Sequence, residues 1–227
     1  SSFGIASQNN GNNLFYNKNI TVYGSGGRGI HTTFGEKFYS NTIASYVTGS
    51  VVYFDNGAHD TQVYNNKILS YGSSSGYGIQ ITAPGTNNSV HDNLIITNGT
   101  SSYGVFVGGS AAKNNLVYSN NLTTYGTSAY GVLVNGGAFN NTIYNNNVTT
   151  YGQSAHANYL SNSFNNTFYN NIIGAYNSTG AYAVFISQSN YSSFYGNNFF
   201  SLSGGIMIDN SGEGFGPLVY TTLTNDT

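Results

Sequence analysis

The five residues YGVFV, Tyr103 to Val107, return along the chain with small changes. They match Tyr130-Gly-Val-Leu-Val134 and Tyr77-Gly-Ile-Gln-Ile81, and less closely Tyr182-Ala-Val-Phe-Ile186. Self-similarity of this kind outranks local propensity, because it identifies a unit that buries its apolar face only by stacking on its neighbours. Extending the match in both directions puts unit starts near positions 3, 28, 50, 77, 103, 130, 156, 182 and 204, at spacings of 22 to 27 residues. Nine such units tile the 227 residues.

Read down columns, each unit carries three apolar clusters. The first column runs Ile5, Ile30, Val52, Ile79, Val105, Val132, then Asn158 as an exception, Val184 and Ile206. The second runs from Phe15 and Phe38 through Val63, Val90, Val117 and Ile143 to Phe168 and Phe194. The third runs from Ile20, Ile43, Ile68 and Ile95 through Leu122 and Val148 to Ile173 and Phe199. Short apolar alternation, rich in β-branched and aromatic residues and broken by Gly and Asn, predicts strands. Three short strands per unit, nine times over, predict an all-β parallel solenoid in which each strand pairs with its equivalent one coil away. Parallel crossovers are right-handed in nearly all cases, and the variable coil length argues against a strict hexapeptide coil. The chain thus resembles the right-handed parallel β-helix proteins of the pectate-lyase-like group, and in texture the Asn-rich repeat domains of archaeal and bacterial surface proteins. The resemblance covers all nine units as a single domain, residues 1–227, and implies a fold without implying an activity.

Two further columns follow the second cluster. The first reads Tyr16, Tyr39, Tyr64, His91, Tyr118, Tyr144, Tyr169 and Tyr195; two positions later come Lys18, Asn41, Asn66, Asn93, Asn120, Asn146, Asn171 and Asn197. Identical amides stacked at about 4.8 Å can bond up and down the stack, and Asn tolerates the left-handed conformation of a tight corner. An asparagine ladder at a bend is expected, with the tyrosines stacked on the outside of the sheet. A second outward column holds Ala6, His31, Tyr53, Gln80, Phe106, Leu133, Tyr159, Phe185 and Met207. Apolar from Phe106 onward, it points to an interaction surface at Tyr53, Phe106, Leu133, Tyr159, Phe185 and Met207, for protein first and glycan second; a covering loop of the same chain is the alternative.

Composition excludes several classes. Charged residues make up 5% of the chain and the net charge is -2, so no basic patch exists to neutralise the phosphates of a nucleic acid. There is no cysteine, hence no disulfide or thiolate metal site, and no apolar run long enough to span a membrane. No cofactor motif is present. Ten Asn-x-Ser/Thr sequons occur, at Asn19, Asn87, Asn98, Asn121, Asn140, Asn147, Asn165, Asn177, Asn190 and Asn225. A chain with 36 Asn and 50 Ser plus Thr contains about 8 by chance, so they permit N-glycosylation without demonstrating it.

Catalysis by β-helix glycosidases and lyases, which this fold resembles, uses clustered carboxylates, or calcium-bound acids with a Lys or Arg base. Hydrolysis needs two carboxylates within roughly 5–10 Å. Asp55 and Asp209 share a column but lie six coils apart, about 29 Å at 4.8 Å per coil. The densest polar group is Glu36, Lys37, His59 and Asp60, with His31 and Asp55 nearby. Glu36, His59 and Asp60 are the catalytic candidates, against a plain reading as turn polarity with a cross-coil ion pair. Lys67 and Asp92 are expected to form another such pair. No helical cap pattern is seen at either end, which predicts end-to-end stacking into a fibre, or membership of a longer chain, or a final unit (Gly212, Gly214, Gly216, Pro217) folded over its own end. The leading expectation is a secreted or cell-surface structural β-helix that self-associates into a fibre or layer, more a scaffold than an enzyme. The alternative is a polysaccharide-binding or polysaccharide-cleaving β-helix.

Overall fold

The computed structural model describes residues 3–7, 11–177, 179–209 and 222–224. These form three parallel sheets and no helix. Sheet A has nine strands, from Phe3–Ser7 to Gly204–Asp209; sheet B has nine, from Leu14–Tyr16 to Thr222–Thr224; sheet C has eight, from Asn19–Val22 to Asn198–Ser201. Every pairing joins equivalent strands of successive coils, so the right-handed parallel solenoid expected from the sequence is the fold, with about eight turns complete in all three sheets among the described residues. The first apolar column is in register on sheet A from Ile5 to Ile206. The second runs in register on sheet B and the third on sheet C. The interior between the sheets is one apolar cluster from Ile30 to Phe194. Each buried Ile, Val or Phe contributes about 1.5–3 kcal/mol, while ordering each residue costs about 1–2 kcal/mol, so one coil alone does not hold. Stacking is the fold.

Asn158 is the exception in that interior. It lies between Val132 and Val184 with no exposure, and neither side-chain atom has a hydrogen-bond partner.

The asparagine ladder is present, from Asn41 through Asn66, Asn93, Asn120, Asn146 and Asn171 to Asn197, each Nδ2 donating to the Oδ1 one coil on at 2.9–3.1 Å. The corner conformation falls elsewhere than expected. The residue before each ladder position carries the positive φ: Asn17, Ser40, Asn65, Asp92, Ser119, Asn145, Asn170 and Gly196. A second ladder joins Asn88, Asn115, Asn141 and Asn166 at 3.0–3.1 Å, beside a second positive-φ column at Asp60, Asn87, Asn114, Asn140 and Asn165. Lys67 and Asp92 do not pair; Asp92 sits 2.8 Å from His91 Nδ1 instead. The segment expected to fold over the end, with Gly212, Gly214, Gly216 and Pro217, lies outside the described residues.

Candidate functional site

The long strands Arg28–Phe34 and Val52–His59 slip register between Thr32 and Phe34. Such an irregularity re-aims side chains at a sheet rim. Here it opens a cleft of about 500 Å³ lined by Gly11, Asn12, Phe34, Gly35, His59 and Asp60. His59 Nδ1 lies 2.9 Å from Asp60 Oδ2, and the His59 ring meets Phe34 edge-on at 5.1 Å. The corner geometry accounts for Asp60, since φ is 56° there. Glu36, the third catalytic candidate, does not join them. It precedes sheet B at the position the second ladder fills with Asn, fully buried, accepting hydrogen bonds from Ser7 Oγ at 2.5 Å and from Thr32 Oγ1. A carboxylate so enclosed has no path to a polymer outside the coil. Lys37 is exposed beside it and makes none of the ion pairs found among the described residues. On the outer face of sheet A, His31 Nε2 is 2.6 Å from Asp55 Oδ2, and the Arg28 guanidinium covers the Tyr53 ring at 3.6 Å.

Farther along the same face three rows run side by side at one coil per step. The first is a stack of rings: Tyr77 and Tyr103 at 4.7 Å, Tyr103 and Tyr130 at 5.0 Å, Tyr130 and His156 at 5.3 Å, His156 and Tyr182 at 5.5 Å. The second is the expected outward column, Gln80, Phe106, Leu133, Tyr159, Phe185 and Met207, in register throughout. The third is polar: Thr82, Gly108, Asn135, Ser161, Ser187 and Asp209. Asp55, one residue past the partner of Ile81, extends it at the other end.

The first row half-covers the second. Leu133 retains 3% exposure, Tyr53, Phe106, Tyr159 and Phe185 are half-buried, and Met207 is exposed at 39%. The covering rings Tyr77, Tyr103, Tyr130 and His156 stand on the connections that lead into sheet A, so the cover comes from loops of the same chain, the alternative expectation. Rings stacked coil upon coil hide their faces from solvent and show only their edges. This holds for the Tyr16-to-Tyr195 row on sheet B, where centroids are 4.6–5.1 Å apart. It also holds for a third outer row that the columns above do not contain: Tyr23, Tyr46 and Tyr71, then Tyr125, Tyr151 and Tyr176. Tyr159 differs. Its ring stands at 78° to Tyr130 and 72° to His156, so its plane runs along the solenoid axis. The signal for both unassigned rows is in the sequence, as Tyr-Gly pairs such as Tyr103-Gly104 and Tyr151-Gly152 recurring at the coil period.

Burial tunes two members of this face. Tyr103 is pushed up to about 12 by desolvation, with Tyr77, Tyr130 and Tyr159 adding to it. His156, 8% exposed and accepting the Tyr182 amide at Nδ1 (3.2 Å), is pushed down to about 4 by desolvation. The folded chain therefore holds fewer protons than the unfolded chain between pH ~6.5 and ~4, and stability falls as pH falls through that window. Allowing for the solvent that still reaches the ring, the loss is about 2–3 kcal/mol. His156→Tyr, which restores the residue type of the row, is expected to remove that part of the pH dependence. Urea unfolding of both proteins at pH 4 and 7 measures it, and equal slopes would refute it.

Of the sequons, Asn19, Asn87, Asn98, Asn121, Asn140, Asn147 and Asn165 are exposed, Asn177 and Asn190 are half-buried, and Asn225 lies outside the described residues. Asn165 Nδ2 donates to Asn140 Oδ1 at 2.5 Å.

The family model described as "Right handed beta helix region" matches residues 1–148. No curated protein sequence matches the chain. Among solved structures the chain is similar to the Dettilon tailspike protein (gp208), with TM-score 0.55 and 12% identity over 89% of this chain and 52% of that one. It is similar also to a double mutant of the periplasmic alginate epimerase AlgG, with TM-score 0.55 and 11% identity over 94% of this chain and 69% of that one. At these identities the likeness is one of fold. The chain spans about half the length of the tailspike chain it matches.

Proposed function

The chain belongs to the right-handed β-helix family, and from that premise we propose that it is an extracellular or cell-surface protein, a single domain over residues 1–227, that binds a polysaccharide along the outer face of sheet A. One observation carries the reading. Tyr159, in a row flanked by Asn135, Ser161 and Ser187, presents a ring whose plane follows the solenoid axis. A glycan laid along that axis has sugar rings whose planes also follow it. Apolar ring faces then meet the aromatic row while hydroxyls meet the polar row, which is the usual division of labour in a carbohydrate site.

The fold neighbours support the same reading: one is a tailspike and another an alginate epimerase. They favour it over self-assembly, and the apolar stripe that was one of the grounds for self-assembly is half-covered. Binding is also better supported than hydrolysis. At the corner cleft Asp60 is exposed but Glu36 is enclosed, and hydrolysis requires two carboxylates on the substrate. The exposed sequons remain compatible with a glycosylated surface.

Tyr159→Ala is expected to weaken retention by polysaccharide about fivefold, corresponding to about 1 kcal/mol for one aromatic contact. Tyr195→Ala, in the sheet B row, is the control and should bind like the parent. Affinity electrophoresis in polysaccharide gels reads both, and equal loss in the two variants would sink the assignment to this face.

A further inference from the structure

Resting on the polysaccharide reading of this face, we infer that the ligand is an uncharged glycan and not a polyuronate. All five Lys and Arg residues lie at or before Lys113, and from Asn114 to Ile208 there is no Asp, Glu, Lys or Arg. That segment supplies the part of the face where Leu133, Tyr159 and Phe185 run beside Asn135, Ser161 and Ser187. A polymer with a carboxylate on every sugar must give up water around each charge, and the usual compensation is an Arg or Lys contact. The segment supplies none, and the ammonium of Lys113, just before it, lies 5.6 Å from the Phe139 ring at the corner after sheet A. At its far end the polar row is bounded by Asp209, where a polyanion that overran the neutral stretch would meet its own sign; at the other end Asp55 is already held by His31 Nε2 at 2.6 Å, near the Arg28 guanidinium.

His156 is the remaining group on this stretch that can become cationic. Its burial between Tyr130 and Tyr182 keeps it neutral to about pH 4. Amide and hydroxyl groups, by contrast, both donate and accept, which suits sugar hydroxyls and leaves the interaction indifferent to salt.

The experiment uses the full chain at pH 7 and a panel of soluble polymers: a β-glucan, a mannan and a xylan against alginate and polygalacturonate. Binding is read by affinity electrophoresis at about 0.02 M and about 0.5 M NaCl, which spans weak and strong screening. At least one neutral polymer is expected to bind, with an affinity changing less than about twofold with salt, and the polyuronates at least about tenfold more weakly at both salt levels. Polyuronate binding that is tighter than neutral binding and fades with salt overturns the inference and leaves the polysaccharide reading standing. Failure of every polymer to bind overturns both. Concentration-dependent association that Tyr159→Ala abolishes, with no polymer retained, also overturns both and assigns the face to a second copy.

A gain-of-function variant supplies the second arm. Ser161→Lys with Ser187→Lys places two cations on half-exposed positions of the polar row. Polyuronate binding at low salt is expected to rise by about tenfold and to disappear at high salt. No gain would show that missing cations are not what excludes a polyanion.

Discussion

Asn120→Leu is expected to lower the unfolding free energy by about 3–5 kcal/mol, a large part of the 5–15 kcal/mol typical of a domain. Asn120 is 2% exposed and its side chain sits at the centre of five hydrogen bonds. It donates to Val90 O and Tyr118 O at 2.9 Å and to Asn146 Oδ1 at 3.0 Å, and accepts from Asn93 N and Asn93 Nδ2 at 3.0 Å. Leucine has nearly the same shape, so packing survives and the loss is polar. The Asn93 backbone N–H is left without an acceptor, at about 1–3 kcal/mol, Asn93 Nδ2 keeps only Val63 O at 2.8 Å, and three acceptors lose a donor.

Asn120→Asp separates hydrogen bonding from shape. A carboxylate keeps the two contacts it accepts from Asn93 but faces three acceptors with no proton to give. Its folded-state pKa must rise, so the variant is most stable below the unfolded carboxylate pKa near 4 and loses stability as pH rises toward its folded value. Urea unfolding at pH 4 and 7 should show Asn120→Asp crossing below Asn120→Leu as pH rises. Parallel behaviour of the two would mean that donation by the amide is not what holds the coil.

Gly126→Ala is the second large effect, expected at about 3 kcal/mol or more. A Cβ there overlaps the carbonyl oxygen of Gly99 and comes within 2.9 Å of Thr100 N. Both obstacles are backbone, so no rotamer relieves them, and overpacking against backbone sits at the costly end of such changes. The same relation links Gly99 to Gly72 and Gly152 to Gly126, always one coil apart. Coils 22 to 27 residues long can pack at strand spacing at this corner because nothing stands between their backbones. Relief would require separating them, at the expense of bonds such as Tyr125 N to Thr97 O at 3.0 Å. Gly205→Ala, with nothing within 4 Å, is the matched control and should stay within about 0.5 kcal/mol. Chain entropy by itself favours alanine, so comparable destabilisation of the two proteins would mean that contact with Gly99 is not what requires glycine at this corner.

The columns were legible because a parallel solenoid places like on like, so a repeat in sequence is a register in space. Every member of the three apolar columns, the Tyr16-to-Tyr195 row and the first ladder falls where alignment by period puts it. The second ladder was hidden by its neighbour. Asn87-Asn88, Asn114-Asn115, Asn140-Asn141 and Asn165-Asn166 look like plain asparagine richness, yet the first of each pair turns the corner and the second bonds along the stack. The same confusion placed the positive φ on the first ladder's asparagines when it belongs to the residue before. Lateral contacts were the other blind spot. Periodicity says that Tyr159 points outward but not that Tyr130 and His156 lean against it, because those rings come from a turn whose path no column records. The burial of Glu36 was hidden for a related reason. The residue belongs to the densest polar group of the chain, beside Lys37, and only the three-dimensional path shows it buried at the position the second ladder fills with Asn.

The ladders also give the solenoid an electrical direction. In the amide-to-amide bonds each asparagine donates to the following coil and accepts from the preceding one, without a reversal from Asn41 to Asn197 or from Asn88 to Asn166. Their amide dipoles therefore add, and each bond polarises the next. The oxygen end of the longer ladder lies at Asn41, where the Lys18 amide donates to Oδ1 at 2.9 Å and the Lys18 side chain is exposed at the column's first position. A cation there complements the negative end of the array, as basic residues do at the carboxyl end of a helix. The coil thus has a head and a tail that an external field or a charged surface can tell apart, although its net charge is only -2.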